Sequence, residues 1–142
     1  MSFTIHPRLL KSAVPLLSIS QCHVLLKNES TIPWLQIVPE VGEGVEDLHQ
    51  LSRERFEEVT GVIRQVSAFV DRHFRPEKLN VACIGNQVRQ MHIHVVARSP
   101  EDPAWPGVVW GADYPQKPYE EAAIEEIRRA LEASLSPSKE PL

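Results

Sequence analysis

The chain has 142 residues, 42% of them hydrophobic and 24% charged, with a formal net charge of −4. That length fits one domain of ~100–200 residues, large enough to bury a core without a disulfide or metal staple. The acidic balance disfavours a nucleic-acid-coating surface, and no apolar run approaches the ~18 residues of a membrane span. Cys22 and Cys83 are isolated, so they form neither a disulfide framework nor a zinc knuckle. The N-terminal stretch lacks the apolar run and small-residue cleavage site of a signal peptide, which makes the cytoplasm the expected compartment. Residues 1–135 read as a single domain. The last seven, 136–142, lack periodicity and read as a flexible tail.

In chain order, the first strand-like run is Cys22–Lys27, the second spans 34–38 and stops at Pro39. The polar stretch 28–33 between them has the length of a hairpin connector. A helix is predicted over about 53–74, because Phe56, Val59, Ile63, Val66, Val70 and Phe74 recur at three- and four-residue steps and share one face. Ser52 suits its N-cap, Arg72 and His73 suit the negative end of its dipole, and Pro76 prevents continuation. Strands are predicted over 79–84 and 90–97, an irregular stretch over 100–118, and a final helix over 119–135. The order strand, strand, long helix, strand, strand, helix implies an α+β fold on an antiparallel sheet rather than parallel βαβ winding.

The run Gln90-Met-His-Ile-His-Val-Val-Ala97 carries the chemistry. Alternate side chains of a strand share a face, so Gln90, His92 and His94 point one way and Met91, Ile93 and Val95 the other. The apolar set suits a helix-covered core. The polar set then faces outward, with successive donors ~6.6 Å apart at ~3.3 Å rise per residue, a spacing that can follow an extended polyphosphate. Just upstream, Gly85-Asn86-Gln87-Val88 forms a turn whose amides can cradle an anion. An imidazole is mostly uncharged at neutral pH and can attack phosphorus, with a second imidazole handling the proton.

Gln90-Met-His-Ile-His-Val-Val resembles the histidine triad (HIT) motif, His-φ-His-φ-His-φ-φ, with glutamine in the first histidine position. Gly85-Asn-Gln-Val resembles the family's approach to that motif. Trp34-Leu-Gln-Ile-Val-Pro39, the long helix and Trp105-Pro-Gly fall in the family's order, over roughly residues 22–111. The downstream Ala104-Trp-Pro-Gly-Val-Val-Trp-Gly111 is similar to the bacterial diadenosine-tetraphosphate-hydrolase-like branch.

This resemblance implies a HIT-like antiparallel sheet of about five strands with one long helix and a C-terminal helix. It implies a hydrolase or nucleotidyl transferase acting on the α-phosphate of nucleoside phosphates or dinucleoside polyphosphates. His92 takes the place of the nucleophile that forms a nucleotidyl-histidine intermediate, His94 contacts the phosphate, and Asn86 and Gln87 supply further phosphate donors. Asn28 falls where a ribose-holding residue stands. No metal or other cofactor is implied, nor a nucleic-acid or membrane partner; a homodimer is. Gln90 departs from the pattern: its amide donates and accepts hydrogen bonds but cannot cycle a proton. Trp34 likewise stands where many members carry a further histidine.

Two alternatives compete with the enzyme. Gln90 and Trp34 replacing titratable groups would fit a nucleotide-binding module with little turnover. His92-x-His94 could also chelate a metal, although a catalytic zinc usually has three protein ligands and no third is evident.

Overall fold

The computed structural model describes residues 2–135; the expected tail, 136–142, lies outside the described residues. Helix α1 covers Pro7–Ser12 and leads into strand β1, Ala13–Ile19. Then follow β2, Cys22–Lys27; β3, Trp34–Pro39; a 3-10 turn at Leu48–Gln50; helix α2, Arg53–Phe74; β4, Lys78–Cys83; β5, Ile93–Arg98; and helix α3, Glu121–Ser134. All neighbouring strands pair antiparallel in the order β1-β2-β3-β5-β4, which makes one five-stranded sheet. The fold is α+β, as expected.

Side-chain alternation assigns each face of the sheet. Val24, Leu26, Leu35, Ile37, Ile93 and Val95 point to one side and pack against Val59, Val62, Val66 and Phe69 of α2 and Ile127 and Leu131 of α3. Each is nearly or wholly buried, and burying such a side chain stabilises by ~1.5–3 kcal/mol. The 22-residue α2 starts where expected: the Ser52 hydroxyl accepts the Arg55 amide N–H at 3.1 Å. Arg75, with φ of 53°, ends it in the left-handed conformation, just before Pro76.

The opposite face carries two smaller apolar patches. Leu25 and Val38 lie under Leu9 and Ala13 of the N-terminal segment. Ile32, Trp34 and Val96 lie under Val109. His94 falls on this second face, opposite Gln36 of β3.

Residues 7–19 carried no expected element, yet they fold as α1 and β1. The six residues of α1 are too few to show a helical period, though His6 caps it by accepting the Arg8 N–H at 3.0 Å and Pro7 occupies its first turn. Pro15 obscures β1, but β1 is an edge strand with a register shift between Pro15 and Leu17, and edges and bulges are where a strand accepts proline. The other correction concerns β5, which begins at Ile93 rather than at residue 90, so Gln90, Met91 and His92 form the approach to the strand.

The irregular stretch after β5 is tied down by a buried ion pair. Arg98 Nε donates to Asp102 Oδ2 at 2.8 Å, while its Nη2 reaches the Gly107 carbonyl and its Nη1 the Asn80 side chain. Further along, the fully buried Glu29 carboxylate accepts N–H groups from Thr31 and Lys117 and the Thr31 hydroxyl. These ties lay residues 109–116 across the second face of the sheet.

Candidate functional site

Where the second face passes between β3 and the 109–116 segment it leaves a cavity of about 650 Å³. His92, His94, Lys27, Trp34 and Trp110 line it, together with the turn from Gly85 to Val88. Gly85 has φ of 66°, which suits a residue without Cβ, and the turn it starts brings Asn86 and Gln87 to the cavity mouth.

The two imidazoles lie with ring centroids 4.8 Å apart and planes at 71°. Their tautomers follow from their partners. His92 Nδ1 is 2.8 Å from the main-chain oxygen of Gln90. A carbonyl only accepts, so Nδ1 carries the proton and Nε2 keeps its lone pair. His94 is the reverse. Its Nδ1 accepts the indole N–H of Trp34 at 2.9 Å, and an indole only donates, so a neutral His94 carries its proton on Nε2. The site therefore presents a nucleophilic nitrogen beside a hydrogen-bond donor. His94 is 6% exposed and boxed by Trp34 and Trp110, both edge-on at 5.7 and 5.4 Å. Burial pushes its ring down to about 3, and the charges of His92 and Lys27 act in the same direction.

The expected site residues separate into two groups. His92, His94, Asn86 and Gln87 come together around the cavity. Gln90 enters differently from its expected role. Its side chain is committed to the N-terminal segment, with Oε1 accepting the His6 N–H at 2.8 Å and Nε2 donating to the Thr4 carbonyl at 2.9 Å. Its contribution to the site is the main-chain oxygen that orients His92. Asn28 also lies apart from His92. Its Oδ1 accepts the Tyr119 N–H at 2.8 Å, and it lines a neighbouring cavity with Arg8, Lys11 and Ser12.

Lys27 went unnoticed in the sequence and belongs to both cavities. Its Nζ stands 4.7 Å over the Trp34 ring. Burial lowers its pKa, against the raising effect of the Glu29 charge. The signal available was a lysine following the apolar run Val24–Leu26, two residues along from Leu25 and hence on the site face. Among the described residues, no three of His, Cys, Asp and Glu converge to hold a metal ion.

The HIT domain model matches residues 12–101 of this sequence. The chain belongs to the histidine triad (HIT) family. Among solved structures, it is similar to a histidine triad protein from Marinobacter aquaeolei VT8, with 35% identity and a TM-score of 0.85 over 94% of this chain and 96% of that one. A histidine triad protein from Sinorhizobium meliloti 1021 is 30% identical, with a TM-score of 0.87 over 94% and 97% of the two chains. A third, from Bradyrhizobium japonicum, is 26% identical with the same TM-score over 94% and 98%. Among curated proteins no relative matches significantly. HIT proteins are often nucleotide hydrolases or transferases, and some lack activity. No helix among the described residues of this HIT protein is long and apolar enough to cross a membrane.

Proposed function

We propose that this HIT protein is a hydrolase or nucleotidyl transferase that cleaves at the α-phosphorus of nucleoside phosphates or dinucleoside polyphosphates, with His92 as the nucleophile. The observation carrying this reading is the Nδ1 proton of His92 held on the Gln90 carbonyl, which leaves Nε2 free beside a 650 Å³ cavity. In the first step the Nε2 lone pair attacks phosphorus, the N–P bond forms and the bond to the leaving group breaks with its electron pair. In the second, water attacks the same phosphorus and gives its proton up to solvent, the N–P bond breaks and its electrons return to the imidazole Nε2. Splitting one displacement into two is the gain from covalent catalysis.

The donors around the cavity suit the charge involved. His94 Nε2–H and the Lys27 ammonium are placed to meet phosphoryl oxygens, and the turn through Asn86 and Gln87 adds amide donors. Gln87 is itself oriented by Arg8, whose Nη2 donates to its Oε1 at 3.2 Å. Asn28 is proposed as the ribose contact, reached through the neighbouring cavity that shares Lys27 and Gln116 with the first. In this reading Gln90 takes the first motif position as a structural stand-in. Membership of the diadenosine-tetraphosphate-hydrolase-like branch rests on the 104–111 sequence block. A homodimer is part of the proposal, because β4 is an edge strand with Val81 45% exposed. A cytoplasmic location is part of it too, since Cys22 and Cys83 are free thiols.

A second reading, a nucleotide-binding module with little turnover, is favoured by one observation: the Gln90 amide is engaged by Thr4 and His6 rather than by His92. Incubation with adenosine nucleotides, acid-free quenching and peptide mass analysis separates the two readings. The enzyme predicts a nucleoside monophosphate on the peptide holding His92, and loss of both adduct and turnover in His92→Ala. Wild-type turnover by His92→Ala refutes the assignment. Tight binding with neither adduct nor product selects the module.

A further inference from the structure

Trp34 and His94 form a buried polar contact beside the cavity. The indole N–H has a single partner, His94 Nδ1, at 2.9 Å, and Trp34 is 4% exposed. Putting a proton on His94 Nδ1 would turn two donors toward each other and strand the buried indole N–H, and a buried donor without a partner is costly. The charged groups that act on His94 are His92 from its own segment and Lys27 from β2, while Asp113 and Tyr114 line the same cavity without a contact to its ring. His92 and Lys27 both oppose a positive charge on His94, and burial opposes it more than either.

We infer that Trp34 is a positioning residue that holds His94 as a neutral Nε2–H donor, and that the site in consequence selects phosphoric anhydrides over phosphoramidates and phosphate esters of weakly acidic alcohols. This rests on His92 being the nucleophile. A neutral imidazole N–H steadies a phosphoryl oxygen by hydrogen bonding but does not give up its proton. The indole N–H does not either, and the Gln90 amide is turned away toward Thr4 and His6. When the His92 Nε2–P bond forms and the bond to the leaving group breaks, that group must depart with its electron pair and no proton from these three residues. A phosphate or polyphosphate does so readily as a stable anion; an alkylamine or alkoxide does not. Two other proton-bearing groups line the cavity, the Lys27 ammonium and the Tyr114 hydroxyl; both are ordinarily much weaker acids than an imidazolium, and the Lys27 cation, 4.7 Å over Trp34, favours a departing anion.

Two measurements on the wild-type protein test this, with Trp34→Phe and Trp34→His as variants. The first follows kcat/KM over adenosine 5′-phosphates whose leaving groups grade from phosphate through phenols to alkylamines. A positioned general acid is worth ~10²–10⁴ in rate, so kcat/KM should fall by about 10²-fold or more from phosphate to alkylamine. Trp34→His, which restores a titratable partner, should narrow that span and introduce a new ionisation in the pH profile for the amine substrates. A flat leaving-group series, or phosphoramidates cleaved as fast as anhydrides, overturns the selection.

The second measurement is 15N NMR of the histidine rings without substrate. His94 should show a bare Nδ1 and a protonated Nε2 throughout about pH 5–8, and Trp34→Phe should release that tautomer. A protonated His94 Nδ1 in the wild type, or an unchanged signature in a folded Trp34→Phe, overturns the positioning role. If Trp34→Phe fails to fold, the wild-type spectrum and leaving-group series still decide. If no substrate labels His92, the proposed function fails, while the NMR result stands or falls separately.

Discussion

His94 shows how a polar side chain can be buried beside a cavity without a charge. Its ordinary pKa would leave it half-protonated in mildly acidic solution, but burial first, and then the proximity of His92 and Lys27, bring it to about 3. The linkage has a definite sign. As pH falls below ~6.5 the unfolded chain takes up a proton on this ring and the folded chain does not, so stability is lost progressively down to about 3. The slope from this group approaches ~1.4 kcal/mol per pH unit inside that window and vanishes above it. Urea unfolding of His94→Gln at several pH values should show a shallower acid loss than wild type. An identical slope would mean that His94 titrates freely in the folded protein.

Gln90 is the residue whose part was least accessible to sequence reading. Its side chain bridges to Thr4 and His6, 84 positions or more away, and no local pattern encodes such a partner. Gln90→Ala should loosen the N-terminal segment, seen as faster limited proteolysis before residue 13. Its kcat should stay within a few-fold, since the main-chain oxygen serving His92 remains. A loss of kcat near that of His92→Ala would assign the amide a direct part in the chemistry.

At the scale of elements, α2 and the strands over Cys22–Lys27 and Trp34–Pro39 were legible because their periods are long and their ends carry Ser52, Pro39 and Pro76 as stops. Gln90 to His92 read as strand because the alternation of side chains continues through them, although ladder pairing starts only at Ile93. The stretch after Arg98 has no period at all and is ordered by ion pairing. Burial alone would raise the Asp102 carboxyl, but hydrogen bonds from Arg98, Ser99 and Ala104, together with the Arg98 charge, hold it below the usual carboxylate range. Asp102→Ala would leave the guanidinium of Arg98, 2% exposed, without its carboxylate. Breaking a buried pair in this way costs ~3–5 kcal/mol. The same change should slacken residues 99–116, so that denaturation shows the lost stability and KM rises for nucleotide. Undiminished stability would show that the pair does not anchor this segment.

Taken as a whole, the molecule puts its main hydrocarbon core on one face of a sheet and the candidate site on the other. That division was readable from the alternation at 91–96, which already sent Ile93 and Val95 to the helices and His94 to the cavity. Lys27, Trp110 and the long reach of Arg8 to Gln87 were not readable, because each depends on strands and loops meeting from distant parts of the chain. The proposed reaction passes phosphorus through His92, and the configuration at that phosphorus reports it. With a nucleotide made chiral at an α-phosphorothioate and hydrolysed in isotopically labelled water, two successive in-line displacements predict net retention. Net inversion would mean that water attacks the substrate directly, and would contradict a nucleotidyl-histidine intermediate.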